Sequence, residues 1–202
     1  MYLKNISKSY GEKFIFNNLT YTFHKGDVYW LQGKNGVGKS TLLKLILGIE
    51  SPDSGELDIP AEKLYIPEIP LVEDWLTPRE NIDLLYKLTR LKQPQNIDWE
   101  KELEITSKDM NTLSIDCSLG TNMKIIFSLL FTETILDLII IDESLSHIDQ
   151  FAQHKILNKL IEYTQANESI IIFTHHDNLN LENSESKINQ IILRKEGLFD
   201  AK

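Results

Sequence analysis

The chain has 202 residues, of which 42% are hydrophobic and 25% charged, proportions that suit a single globular domain with ample core material. A net charge of −9 and the lack of any Lys/Arg cluster argue against a nucleic-acid surface, and the lone cysteine, Cys117, excludes an internal disulfide and suits a reducing compartment. The start, MYLKNISKSYGEK, lacks the apolar stretch of a secretory signal, and the apolar runs LDLIII and SIIIF are too short to span a bilayer.

The first thirty residues read as β-structure. FIFNNLTYTF (14–23) and DVYWLQG (27–33) are rich in aromatic and β-branched residues, with HKGD as the turn between them. A glycine-rich loop follows, then a helix from about Ser40 to Leu47 that Gly48 can cap. ESPDSGEL (50–57) reads as a turn-rich connection, and KLYIPEIP (63–70) as a short strand stopped by prolines. TPRENIDLLYKL (77–88) announces a helix: Thr77 as N-cap, Pro78 at the first helical position, and Glu80 closing a capping box. Residues 80–115 are polar and mostly helical in pattern, which suggests a small helical insert or else ordinary surface helices. After CSLG a helix is expected to about Phe131, then LIIIDE as a strand, HIDQFAQHKILNKLIEYTQ (147–165) as a helix, and SIIIFTHH as a buried strand entering a loop. The tail KINQIILRKEGLFDA reads as a strand, a Lys-Glu-Gly turn and a short return strand. This alternation argues an α/β fold with a parallel central sheet.

Within it, LQGKNGVGKSTLLKL carries the most chemistry. Gly33, Gly38, Lys39 and Ser40 satisfy G-x-x-x-x-G-K-S/T, between an apolar strand and a Leu-rich helix. The glycines let successive N–H groups line one concave surface, and the positive end of the following helix adds to it, so the stretch suits a phosphate chain. Lys39 is then expected on the β/γ-phosphates and the Ser40 hydroxyl on Mg²⁺, with Thr41 a second hydroxyl nearby. Asn35 and Gly36 complete the loop. At the end of the buried strand LIIIDE, Asp142 is placed to hold Mg²⁺ and Glu143 to polarise an attacking water as general base.

Together these pieces resemble the nucleotide-binding subunit of an ATP-binding cassette (ABC) transporter, over nearly the whole chain and in family order. SKSYGEK resembles the adenine-stacking loop, with Tyr10 the stacker, and GKNGVGKST is similar to the Walker A loop. YIPEIP resembles the Q-loop region, with Glu68 where the family usually has Gln. CSLGT resembles the signature motif, LIIIDE is similar to Walker B, SLSHID to the D-loop, and FTHH to the switch-histidine strand end. LTPREN further resembles bacterial exporters of drugs, antibiotics or bacteriocins. Of the two histidines, His175 fits the switch position better than His176. A metal site there lacks any cysteine or acidic partner at ligand spacing. Cys117 stands where the family prefers an apolar residue and reads as a small hydrophobe.

The resemblance implies a P-loop NTPase: α/β, a central mostly parallel sheet, an N-terminal antiparallel β-subdomain, and a helical subdomain at about 72–132 inside one domain spanning 1–202. It implies ATP and Mg²⁺ as ligands, with Glu68 a further metal-side oxygen and Glu143, His175 and Lys39 as the catalytic groups. It also implies a dimer, homo- or heteromeric, in which Ser118 and Gly120 act on ATP held by another protomer. A separate membrane permease is the implied partner, placing the subunit on the inner face of the cell membrane, with no nucleic acid. The chain departs from the pattern at several places. Leu119, Thr121, Asn122, Met123 and Lys124 replace the usual signature residues, Ser144 replaces a proline, and His147 or Ile148 replaces a glycine. These changes leave binding intact as an expectation and bear on the hydrolysis rate. A cassette ATPase serving cofactor assembly and a slowly hydrolysing regulatory subunit are the rival expectations. Relatives that organise DNA carry long coiled coils between the Walker motifs, for which the 42–137 interval is too short.

Overall fold

The computed structural model describes residues 1–175 and 187–201. The chain divides into two compact units: Met1–Tyr65, Leu136–Ile140 and Ile161–Lys202 in the first, Ile66–Ile135 and Ile141–Leu160 in the second.

The first unit holds an antiparallel sheet of three strands in the order β2-β1-β4, where β1 is Tyr2–Tyr10, β2 Lys13–Thr22 and β4 Ser54–Asp58. β1 is central: Tyr2 pairs with Thr22 on one side and with Asp58 on the other. Asn5 and Asn18 adopt left-handed backbone angles, which asparagine tolerates best among side-chain-bearing residues, and the register slips around them. One expectation needs correction here: ESPDSGEL is not only a turn, since Ser54–Asp58 pairs with β1. The strand at Tyr2–Tyr10 falls within the first thirty residues read as β-structure.

A six-stranded sheet in the order β5-β6-β7-β3-β8-β9 forms the rest of the frame. Its strands are β3 (Val28–Gln32), β5 (Lys63–Ile66), β6 (Leu138–Ile141), β7 (Ile170–Phe173), β8 (Ile188–Arg194) and β9 (Gly197–Asp200). β7 and β8 flank β3 in parallel, and β9 returns antiparallel to β8. β6 and β7 are buried at every position, which explains their unbroken apolar sequence. β5 stops at Ile66, because Pro67 cannot donate to a ladder.

Helix α1 (Lys39–Leu47) buries Leu42, Leu45 and Ile46, spaced i, i+3, i+4, together with Leu43. It ends at left-handed Gly48, whose N–H bonds to the Leu45 carbonyl at 3.0 Å. These side chains join Leu3, Ile6 and Phe16 of the antiparallel sheet and Leu31, Ile140, Ile172 and Ile191 of the larger one in one core. Each such burial contributes about 1.5–3 kcal/mol.

The second unit is helical: α2 (Pro78–Thr89), α3 (Trp99–Leu103), α4 (Ser107–Met110) and α5 (Leu119–Phe127), with the first part of α6 (Gln150–Asn167). The capping box at the start of α2 forms as expected: the Glu80 carboxylate accepts from the Thr77 N–H at 2.9 Å, and the Glu80 N–H bonds to the Thr77 hydroxyl. Between residues 80 and 115 the helical pattern is broken by an irregular segment from Leu91 to Asp98, so the stretch is less helical than its sequence suggests. The core there centres on Trp99, 6.2 Å from the Tyr86 ring and edge-on to Phe131 at 5.8 Å. α6 begins at Gln150 rather than 147 because Ser144–His147 forms a 3₁₀ turn and Asp149 caps the helix, its carboxylate accepting from the Ala152 N–H at 2.9 Å. Among the described residues no helix is long and apolar enough to cross a membrane.

Candidate functional site

In the first unit β3 delivers the chain to Gly33, where a side chain is impossible. A Cβ there would lie 2.8 Å from the Leu193 carbonyl oxygen and 3.0 Å from Val37 Cγ1. Gly38 is left-handed with φ 116°, and its Cβ would meet Ile15 Cγ2 at 2.7 Å. Gly38 is the N-cap of α1, with no side-chain cap and no acid in the first turn. The first N–H groups of the helix are therefore not taken by a side chain, and the positive end of the dipole is unopposed. The Lys39 ammonium folds back to donate to the Gly33 carbonyl at 2.9 Å. Asn35, Gly36 and Ser40 are exposed, and Thr41 is half-buried. This donor set fits a phosphate chain: backbone N–H groups, one ammonium and two hydroxyls, with no carboxylate in the first turn to repel it. A cavity of about 650 Å³ borders the loop, lined by Gly33 to Val37 on one side and Ile192 to Glu196 on the other. The sequence reading did not connect the Lys-Glu-Gly turn with the loop, since that contact follows from β8 lying beside β3.

Tyr10 ends β1 with its ring exposed and its hydroxyl donating to the Glu50 carboxylate. His175 follows β7 and fully buried Thr174, and is itself half-buried. The neighbouring His176 lies outside the described residues.

The second unit carries the acidic turn. Asp142, half-buried, donates its N–H to the Ile66 carbonyl at 2.9 Å. Glu143 is buried, 6% exposed, and left-handed at φ 55°. For a residue with a Cβ that conformation costs about 1–2 kcal/mol and persists only where the surroundings fix it, which is common at functional sites. Ser144 does part of the fixing. Its hydroxyl is 2.7 Å from the Pro67 carbonyl and 3.2 Å from that of Ile66, binding the acidic turn to the segment that leads to exposed Glu68. A proline at 144 could not make that bond. Asp142 and Glu68 of this unit carry carboxylates, hard oxygen donors of the kind Mg²⁺ takes.

Ser118 is the N-cap of α5: its hydroxyl accepts from the Thr121 N–H at 3.0 Å and lies 2.9 Å from the Thr121 hydroxyl. Gly120 is the second helical residue, and a Cβ on it would come 2.9 Å from the His147 carbonyl oxygen. One turn on, the Lys124 ammonium pairs with Asp149 at 3.0 Å. The Ala152 N–H first, then Lys124, hold the Asp149 carboxyl below the usual carboxylate range. Cys117 is half-buried, and burial, then Asp109 and Asp116, push its thiol up, which opposes a nucleophilic role. Buried Asn81, which ends the LTPREN segment, joins the start of α2 to Ser114, four residues before Ser118.

The predicted residues thus fall into two sets. Tyr10, the phosphate loop from Gly33 to Thr41 and His175 belong to the first unit; Glu68, Ser118, Gly120, Asp142 and Glu143 belong to the second. A family model described as "ABC transporter" matches residues 16–191. The chain is 27% identical to the cytochrome c biogenesis ATP-binding export protein CcmA of Tatumella citrea, covering 96% of each sequence. It is 34% identical to the zinc import ATP-binding protein ZnuC of Rickettsia bellii, over 84% of this chain and 72% of that one. Against other relatives the chain spans as little as 54% of their length. Among solved structures, "Structure of ATP binding subunit of ABC transporter" superposes with a TM-score of 0.76 at 24% identity, covering 98% of this chain and 87% of that one.

Proposed function

The chain belongs to the ABC transporter family as an ATPase cassette, and from that premise we propose that it hydrolyses ATP to drive transport through a separate membrane permease. Residues 1–202 act as one ATPase domain, with the helical part at about 72–132. The observation that carries the reading is the start of α1: an uncapped helix end behind left-handed Gly38, with the Lys39 ammonium folded over the loop. Anions bind such an end through backbone N–H groups and the dipole together.

In this proposal Gly33, Asn35, Gly36, Gly38, Lys39, Ser40 and Thr41 hold the triphosphate, and Tyr10 stacks on the base. Ser40, Asp142 and Glu68 are the oxygens available to Mg²⁺, which when bound neutralises phosphate charge. Glu143 orients and deprotonates the attacking water, and His175 holds the γ-phosphoryl side. Burial suits Glu143 to this task, because a carboxylate shielded from bulk water is a stronger acceptor for one bound water molecule. Ser118 and Gly120 serve ATP bound to a second protomer, so cleavage removes the contacts that join the two subunits. The subunit then works on the inner face of the cell membrane. Export is the proposed direction, from the printed names of several relatives and the LTPREN segment, although import proteins stand at similar identity.

One observation favours a slowly hydrolysing version of the same subunit. The Ser118 hydroxyl is already engaged by two groups of Thr121, where the family pattern has Gln. Steady-state hydrolysis by the purified chain, with and without membranes from which an integral partner is co-purified, tests the reading. Glu143→Gln should slow turnover at least tenfold with ATP binding retained. Full activity in that variant removes the base assignment, and the absence of any integral membrane partner removes the transport assignment.

A further inference from the structure

Around Tyr10 the first unit builds a charged cluster that the phosphate chemistry does not use. The Tyr10 ring is 46% exposed at the end of β1. A phenol in that position ordinarily rotates about χ1 and χ2 among several wells. Here its hydroxyl donates to Glu50 Oε2. Glu50 is in turn fixed from two directions, by the Lys44 ammonium at 3.3 Å from Oε1 and by the Lys8 ammonium at 3.6 Å from Oε2. Lys8 is itself held, donating to the Ser51 carbonyl at 2.8 Å, and its nitrogen sits 5.4 Å from the Tyr10 ring centroid. Asp53 closes the cluster, accepting from the Ser9 N–H and hydroxyl at 2.7 Å each. Lys44 lies on α1, the helix that begins at the phosphate loop, and Glu50 follows that helix's glycine cap. A continuous line of contacts therefore runs from the helix behind the loop to the ring.

We propose that Glu50 is a positioning residue for base recognition: through the Tyr10 hydroxyl it holds the ring in one orientation, with Lys8 on one side of the ring and the opposite face left for a purine. The inference rests on the reading that Tyr10 stacks on the base of ATP. Its physical content is entropic and geometric. A ring already held loses no rotamer freedom when a base stacks on it, so the ligand gains the full contact. An ammonium over one ring face also makes stacking one-sided. Glu50 touches neither base nor phosphate in this scheme.

The test is equilibrium binding to the full chain of two probes, ATP and inorganic tripolyphosphate, which has the phosphates and no base. Tyr10→Ala should weaken ATP about 5- to 100-fold, the range for losing one aromatic stack on a base. Glu50→Ala and Tyr10→Phe should each weaken ATP about 3- to 10-fold, the worth of one hydrogen bond, and the double variant no further. Glu50→Gln, whose amide oxygen still accepts from the phenol, should recover most of the loss. Tripolyphosphate affinity should be the same in all of them, which also certifies that each variant is folded. If Tyr10→Ala weakens ATP while Glu50→Ala does not, Glu50 positions nothing and the inference falls alone. If Glu50→Ala weakens tripolyphosphate as much as ATP, its role is general to the fold and the inference likewise fails. If Tyr10→Ala leaves ATP binding unchanged, the stacking reading itself is wrong.

Discussion

Replacing Asn81, the last residue of the LTPREN segment, by alanine should destabilise the helical unit by about 2–4 kcal/mol. The side chain is 1% exposed. Its Oδ1 accepts from the Glu73 N–H at 2.7 Å, and its Nδ2 faces the Ser114 hydroxyl at 2.9 Å, the Glu73 carbonyl at 3.0 Å, and the Leu76 and Thr77 carbonyls at 3.3 Å each. An amide nitrogen has two hydrogens, so the two nearest oxygens are its real partners and three strong bonds are at stake. At about 1 kcal/mol net for each, their loss costs about 3 kcal/mol. Leaving fully buried Ser114 without this donor pushes the figure up, whereas water reaching the exposed Glu73 backbone pulls it down. Asn81→Asp keeps the bond from the Glu73 N–H but sets a carboxylate oxygen among acceptors. It should cost at least as much at neutral pH and recover as acid protonates the introduced group. Urea unfolding followed by circular dichroism, at fixed m-value, measures both. An Asn81→Ala protein within about 0.5 kcal/mol of the parent would refute the idea that these bonds carry net stability.

Lys39→Ala should abolish measurable ATP binding, since it removes an ammonium folded over the loop; retained affinity in an equilibrium binding assay counts against the phosphate site. Gly38→Ala should cost about 2–4 kcal/mol without nucleotide, combining a left-handed alanine with a Cβ driven against Ile15 and Phe16, less the gain from a stiffer unfolded chain; a thermal scan reads it directly. Acid should destabilise the fold through the carboxylates it holds below their usual range. Glu80 is held down chiefly by the Thr77 N–H, Asp149 by that of Ala152, and Asp53 by the Ser9 hydroxyl. Lowered folded values mean that their stabilisation is complete above the unfolded pKa near about 4 and is lost as pH falls through the folded ones. Urea midpoints should hold between pH 7 and 5 and drop below about pH 4, less steeply in Glu80→Gln, where that titrating carboxylate is gone.

What the sequence disclosed was whatever depends on near neighbours. The phosphate loop reads directly because Gly33, Gly38, Lys39 and Ser40 act through their own backbone and spacing. The start of α2 reads directly because Thr77 and Glu80 satisfy each other three residues apart. β4 stayed hidden because Ser-Gly-Glu-Leu-Asp has little strand propensity of its own, and its pairing comes from β1, some fifty residues earlier. The same holds for the side chains that tune the site. Ser144 reaches back to Pro67, Tyr10 forward to Glu50, and Asn81 forward to Ser114. No local pattern encodes such partners, because each is a product of the completed topology.

The seam between Gly120 and His147 changes how one departure from the family pattern should be weighed. By the resemblance, His147 or Ile148 stands in SLSHID where a glycine is usual, and a side chain there looks disruptive. Yet what meets Gly120 is the main-chain oxygen of His147, an atom that every amino acid possesses. Exchanging the imidazole leaves that oxygen in place. The constraint sits wholly on the opposite partner, where a single added methyl would wedge the helix start away from its neighbour.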